Sequence, residues 1–183
     1  MRNVVYGINM SIDAICDHTN FRPDDEIMEH FIRLLQGADL LVYGRKTYEL
    51  MVPYWPDIAK SQAETKLENE FANTFTAIDK VVFSKTLQSV EGNARIVRGN
   101  LGDEIRKLKQ QPGKNISVGG VSLPSQLMAL GLIDEYHFVI HPGIVGDGRK
   151  LLEGISLPEK LKLKLVDCKV FKSGVLWLHY LKD

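Results

Sequence analysis

Strand-like and helix-like stretches alternate along most of this chain, and that alternation leaves few folds open. Residues 4–9 (VVYGIN) read as a β-branched opening strand. Pro23 and the acidic run Asp24-Asp25-Glu26 start a helix whose apolar positions are Ile27, Met28, Phe31, Ile32 and Leu35, with Gly37 as its stop. Residues 40–43 (LLVY) form a short buried strand. Residues 45–51 predict a short helix, ended by Pro53 and Pro56, and Ala63, Leu67 and Phe71 mark another. Strands follow at 80–84 (KVVFS) and 94–97 (ARIV). Asn100 caps a helix carrying Leu101, Ile105 and Leu108, which Pro112-Gly113 ends. Residues 115–118 (NISV) run into Gly119-Gly120 and a helix over 122–130, stopped by Gly131. A strand at 135–141 (EYHFVIH) precedes a hairpin of 161–171 and 175–181. The expectation is one α/β domain over residues 1–183. Its mostly parallel central sheet should have about eight strands, helices on both faces and an antiparallel C-terminal hairpin.

Charge and cysteine usage narrow the function. Lys+Arg and Asp+Glu both number 23, so no net charge draws the chain to nucleic acid or an acidic membrane. Any anion site must be local. Cys16 and Cys168 stand far apart, with no metal-type spacing. The opening MRNVVYGINM is too short and polar for a signal peptide, and no apolar run approaches the ~18 residues of a membrane helix. A cytoplasmic protein with reduced thiols is expected.

Ligands of open parallel sheets bind beyond the strands' carboxyl ends. Three strands here end in suggestive residues: Gly44-Arg45-Lys46-Thr47, Ser84-Lys85-Thr86, and Val118-Gly119-Gly120-Val121-Ser122. The double glycine lets backbone approach a ligand, and the helix behind it favours a phosphate. It reads equally as a bare strand-to-helix turn. The cations and hydroxyls of the first two suit a phosphate, or are solvated loop residues. A ligand with a diphosphate and a separate phosphate, such as NADPH, would use all three. There is no GxGxxG. GIVGDGRK (143–150) approaches a P-loop, but Arg149 stands where the lysine belongs and no Ser/Thr follows. His137 and His141 share a strand face without a third zinc ligand in view, so no metal is expected.

Five segments in order resemble the dihydrofolate reductase-like superfamily, and most closely the branch of the riboflavin-biosynthesis reductase domain and its single-domain relatives. They are INMSIDA (8–14), ADLLVYGRKTYE (38–49), KVVFSKTL (80–87), SVGGVSL (117–123) and LIDEYHFVIHPGIVGDGRKLL (132–152). The resemblance implies an NADPH-dependent reductase acting by hydride transfer on a small pterin-like or ribosylamino-pyrimidine-like heterocycle. By that resemblance Gly44, Arg45, Lys46, Thr47 and Ser84 to Thr86 take the adenosine 2′-phosphate and nearby phosphate, and Gly119 to Ser122 the diphosphate. Ser11, Asp13, Met28, Tyr54 and Trp55 line the substrate, with Asp13 the candidate proton donor. A homodimer through the terminal strands is also implied.

Departures from the family pattern carry information. Ala14 replaces a usual glycine, so that loop is expected to bend differently. Counted back without gaps from Gly44, Met28 stands where folate reductases carry an acid, and Pro124 replaces an aromatic residue. Both argue against folate as substrate. A protein that holds a nucleotide or pterin without turning it over is the alternative reading.

Overall fold

Period-two alternation sets the two faces of the sheet. Val4, Tyr6, Val42, Val81, Ile116, Val118 and Tyr136 turn to one side and pack with Ile105, Leu108, Leu123 and Leu127. Leu41, Tyr43 and Val82 turn to the other, under Ile32, Leu35, Phe71 and Phe75. Burying each such side chain contributes about 1.5–3 kcal/mol. A computed structural model describes residues 1–183, all but the side chain of His18.

In chain order the elements are β1 (Val4–Ser11), a 3-10 turn (His18–Asn20), α1 (Asp25–Gln36), β2 (Ala38–Gly44), α2 (Arg45–Ser61) and α3 (Lys66–Ala77). There follow β3 (Asp79–Phe83), β4 (Ala94–Val97), α4 (Leu101–Gln110), β5 (Asn115–Val118) and α5 (Ser122–Ala129). The last three are β6 (Glu135–His141), β7 (Leu163–Val170) and β8 (Leu176–Lys182). The eight strands form one sheet in the order β4-β3-β2-β5-β1-β6-β8-β7. Pairing is parallel from β4 to β6 and antiparallel from β6 to β8 and β7. The expected sheet and terminal hairpin are therefore present, with β8 inside and β7 as the outer strand.

Capping agrees with local chemistry. The Asp24 carboxylate accepts the Ile27 N–H at 2.9 Å at the start of α1. Asn100 does the same for Asp103 at the start of α4. Thr65 and Glu68 close a capping box on α3. One expectation fails. The helix expected over 45–51 runs on to Ser61 with Pro53 and Pro56 inside it. Each proline removes one backbone donor, yet Tyr48, Val52 and Ile58 stay buried along the helix. Tertiary packing of that face outweighs the two lost hydrogen bonds.

The path of the chain opens a crevice. Helices α1, α2 and α3 supply the cover on one face, α4 and α5 that on the other. Strand β5 lies between β2 and β1, and the chain leaves it on the face opposite to both neighbours. Ligands bind at such a switch point, beyond the carboxyl end of the strand.

The loop after β1 answers the question raised by Ala14. Ala14 takes the left-handed conformation, φ +61°, that glycine adopts freely. Its N–H still donates to Ser11 O at 3.0 Å. The turn is kept and a strain of about 1 kcal/mol accepted. Ala14→Gly is expected to raise the melting temperature by about 1–4 °C in calorimetry. An unchanged or lower value would show that the strain does not exceed the chain entropy glycine adds to the unfolded state.

Candidate functional site

The three strand ends singled out in the sequence belong to adjacent strands, β3-β2-β5, and form one rim. Arg45 opens α2 and donates to the Thr86 hydroxyl at 3.1 Å, which ties the first end to the second. It also lies 3.4 Å from Glu49. Ser84 Oγ accepts the N–H groups of Thr86 and Leu87, closing the loop after β3. Arg98 braces that loop by donating to Ser84 O and Leu87 O at 3.0 and 2.7 Å. Nothing in the sequence marked Arg98, because its partners lie across the β3–β4 connection. Lys46 and Lys85 are exposed, and Gly44 leaves the first N–H groups of α2 without a side-chain cap.

The third end is where backbone comes closest. A Cβ at Gly119 would sit 2.5 Å from Tyr43 Cε1, and one at Gly120, with φ +85°, would collide with the Thr47 hydroxyl. Only glycine fits both positions. Gly119 donates to Val42 O at 3.2 Å, and the Tyr6 hydroxyl donates to Gly120 O at 2.9 Å. The turn is thereby fixed from both neighbouring strands. Helix α5 then begins at Ser122 with no side chain capping it. The Arg149 guanidinium donates to the Ser122 hydroxyl, while its Nε is buried without a partner.

Asp13 is engaged elsewhere. Its carboxylate accepts the Ser11 hydroxyl at 2.6 Å and the N–H groups of Gly146 and Val145 at 2.8 and 3.1 Å. These bonds, the Ser11 hydroxyl foremost, hold its pKa down at about 2. It is ionised at neutral pH and has no proton to give. Ser11 is buried, and its Oγ also accepts the Ile15 N–H. Met28 is buried in the core beside Tyr43 and Phe75. Trp55 packs on Phe71 with ring centroids 4.4 Å apart, and Tyr54 meets it edge-on at 5.0 Å. Among the described residues no hydrogen bond or ring contact joins Met28, Tyr54 or Trp55 to Ser11 or Asp13.

A titratable group does face that end of the sheet. His141 closes β6 in register with Ser11 of β1. Its Nε2 lies 2.9 Å from Asn9 Oδ1, and its ring stacks on Phe21 at 4.4 Å. An amide oxygen only accepts, so Nε2 carries the hydrogen and Nδ1 is left open. Burial lowers the His141 pKa, and Asp24 opposes the shift. The sequence offered His141 only as half of a zinc pair.

The other half of that pair belongs to a different cluster. Glu135, His137 and His179 bring three potential metal-ligand atoms within 4.8 Å of one another. Glu135 Oε1 is 2.8 Å from His137 Nε2 and 2.9 Å from His179 Nε2. The Trp177 indole donates to His137 Nδ1 at 3.0 Å, so the His137 proton sits on Nε2, towards Glu135. A protonated nitrogen cannot ligate. The Trp177–His137 hydrogen bond fastens β8 to β6, His179 Nε2 lies close to Glu135 without a hydrogen bond of its own among the described residues, and His30 of α1 packs on Trp177 at 4.7 Å.

Residues 2–177 match the family described as the RibD C-terminal domain. The chain is 31% identical over 183 residues to the uncharacterized protein YyaP of Bacillus subtilis strain 168, covering 98% of this chain and 94% of that one. It is 26% identical over 151 residues to the uncharacterized protein YwjB of the same organism, covering 80% and 75% of the two chains. A crystal structure described as a "Putative riboflavin biosynthesis protein" from Shewanella sp. PV-4 superposes with a TM-score of 0.76 at 20% identity, covering 100% of this chain and 99% of that one. A Thermotoga maritima diaminohydroxyphosphoribosylaminopyrimidine deaminase/5-amino-6-(5-phosphoribosylamino)uracil reductase gives 0.69 at 14% identity, where this chain corresponds to 57% of that chain. The match to the family spans nearly the whole sequence, and the protein is a member of the RibD C-terminal domain family.

Proposed function

We propose that the protein is an NADPH-dependent reductase of a small heterocycle, pyrimidine-like or pterin-like. Family membership supports a reductase-type role. The observation that carries the cofactor assignment is the union of three strand ends into one rim around a turn that tolerates no Cβ at Gly119 or Gly120. A cradle that excludes side chains suits a diphosphate lying on bare backbone and on the uncapped N–H groups of α5. In this reading Val118, Gly119, Gly120, Val121 and Ser122 hold the diphosphate. Arg45, Lys46, Thr47, Ser84, Lys85 and Thr86 hold the 2′-phosphate. NADPH, when bound, supplies the hydride.

Reduction of a C=N or C=O bond also consumes a proton. Asp13, ionised and triply hydrogen-bonded, does not provide it. His141 is the titratable group best placed to do so: protonated to the imidazolium it carries a second proton on Nδ1, which it gives up while Asn9 holds the ring by Nε2. Asn9 then presents its amide N–H groups to a carbonyl of the heterocycle. Two arginines or lysines on an exposed rim interact with one phosphate through charge-assisted hydrogen bonds, each worth about 1.5–3 kcal/mol.

Arg45→Ala combined with Lys46→Ala should weaken NADPH at least ~10-fold and leave NADH nearly unchanged in calorimetric titration. An equal loss for both would remove the 2′-phosphate assignment. With 5-amino-6-(5-phosphoribosylamino)uracil as the probe, kcat should decline as pH rises through the lowered His141 pKa. His141→Gln should lower kcat ~100-fold or more with NADPH affinity intact. Tight NADPH binding with no loss of NADPH absorbance over a pyrimidine and pterin panel would instead favour the nucleotide-binding protein without turnover.

A homodimer is proposed on separate grounds. Strand β7 is exposed along nearly its whole length, and its outer edge carries no strand. Leu165, Val166 and Val170 are exposed on it, Val170 by 69%. Such an edge invites pairing with its own copy about a two-fold axis. Sedimentation equilibrium should report a dimer, and Val166→Lys with Val170→Lys should shift it to monomer. A monomeric parent protein would end this proposal.

A further inference from the structure

Arg149 has no role in the reading above, yet the fold holds it with unusual care. The segment after β6 folds back over the loop after β1. Ile12 N–H donates to Gly143 O at 2.9 Å, Cys16 N–H to Arg149 O at 2.8 Å, and Leu151 N–H to Ala14 O at 3.2 Å. Ile15 and Lys150 form an antiparallel bridge. The Asp13 carboxylate takes two more N–H groups from Val145 and Gly146. Gly148 has φ +134°, and a Cβ there would lie 2.8 Å from Ile15 Cγ2. The backbone around Arg149 is thus pinned from six residues before it to two after.

What is pinned is electrostatically unfavourable as it stands. The guanidinium meets Ser122, the first residue of α5, where the helix dipole is positive. Among the described residues no carboxylate forms an ion pair with Arg149, and its Nε is buried without an acceptor. A buried unmet donor costs about 1–3 kcal/mol. One group relieves the unfavourable charge: a multi-oxygen anion seated between the guanidinium, the Ser122 hydroxyl and the free N–H groups of α5. We infer that Arg149 grips a phosphate at the N-terminus of α5, and that Asp13 is the residue that positions it there. The inference rests on the rim being a phosphate site. The phosphate belongs either to the cofactor's diphosphate or to a phosphorylated substrate, and the chemistry is shared.

Calorimetric titration with NADPH, NADH and ribose 5-phosphate separates these sources. Arg149→Gln should weaken both nucleotides by the same ~10–100-fold, unlike the Arg45 and Lys46 substitutions, and Arg149→Lys should recover only part of the loss. A selective loss of ribose 5-phosphate would place the substrate's phosphate at Arg149 and equally support the inference. Asp13→Asn should weaken the same ligand, and should add nothing in an Arg149→Gln background. If Asp13→Asn lowers only the melting temperature and leaves affinity unchanged, its positioning role is refuted. Unchanged affinity of a folded Arg149→Gln for all three probes overturns the inference. The cofactor assignment survives that result if the Arg45 and Lys46 substitutions still cost NADPH selectively. Wild-type protein that binds ribose 5-phosphate through Arg149 but neither nucleotide keeps the inference and removes the cofactor. Binding of none of the three overturns both.

Discussion

The site depends on one close approach: the backbone of Gly119 lies against the ring of Tyr43, with no space for a Cβ between them. Tyr43 is itself immobilised. Its ring stacks with Phe75 at 6.3 Å, Phe75 with Phe71 at 6.2 Å, and Phe71 meets Trp55 at 4.4 Å. This aromatic column runs from β2 through α3 to α2 and transmits core packing to the floor of the rim. Tyr6, fully buried on β1, grips the next carbonyl along. The turn is rigid because strands on both sides of β5 hold it, so a ligand meets a surface that needs little ordering.

A second constraint comes from the loops after β1 and β6. Asp13, Ala14 and Gly148 each have a conformational or hydrogen-bonding reason to be where they are, and together they make a latch between the two loops. The latch explains two sequence segments at once. INMSIDA supplies the carboxylate and the left-handed turn, and GIVGDGRK the N–H groups, the tight glycine and the arginine. Neither segment has chemistry alone. Parallel pairing of β1 with β6 places His141 and Asn9 at the same end of the sheet, next to this latch.

Much of this was legible in the sequence. Strands 94–97, 115–118 and 135–141 were readable to the residue, because each is a short apolar run bounded by turn signals. The rim was legible because consecutive elements supply it and parallel topology forces their ends together. The long α2 was not, since local rules end a helix at Pro53 while the burial of Ile58 extends it. Arg149 was passed over because its partner, Ser122, lies across a strand connection that spacing does not reveal. The same holds for His137. Its local neighbours suggested a zinc pair with His141, whereas antiparallel pairing of β6 with β8 brings His179 and Trp177 beside it. Asp13 was legible as a polar group near the cleft but not as a clamp, because its donors come from residues 145 and 146.

The stacking of Trp177 on His137 at 5.7 Å, with His179 at 5.9 Å, has an optical side. An imidazolium quenches indole emission far more than a neutral imidazole, so the brightness of Trp177 reads the charge on His179 beside it. The second indole, Trp55, touches only Phe71 and Tyr54 among ring neighbours, and sits on α2. The protein therefore carries two intrinsic fluorophores with different neighbours, one beside the hairpin histidines and the other among the helices that support the rim.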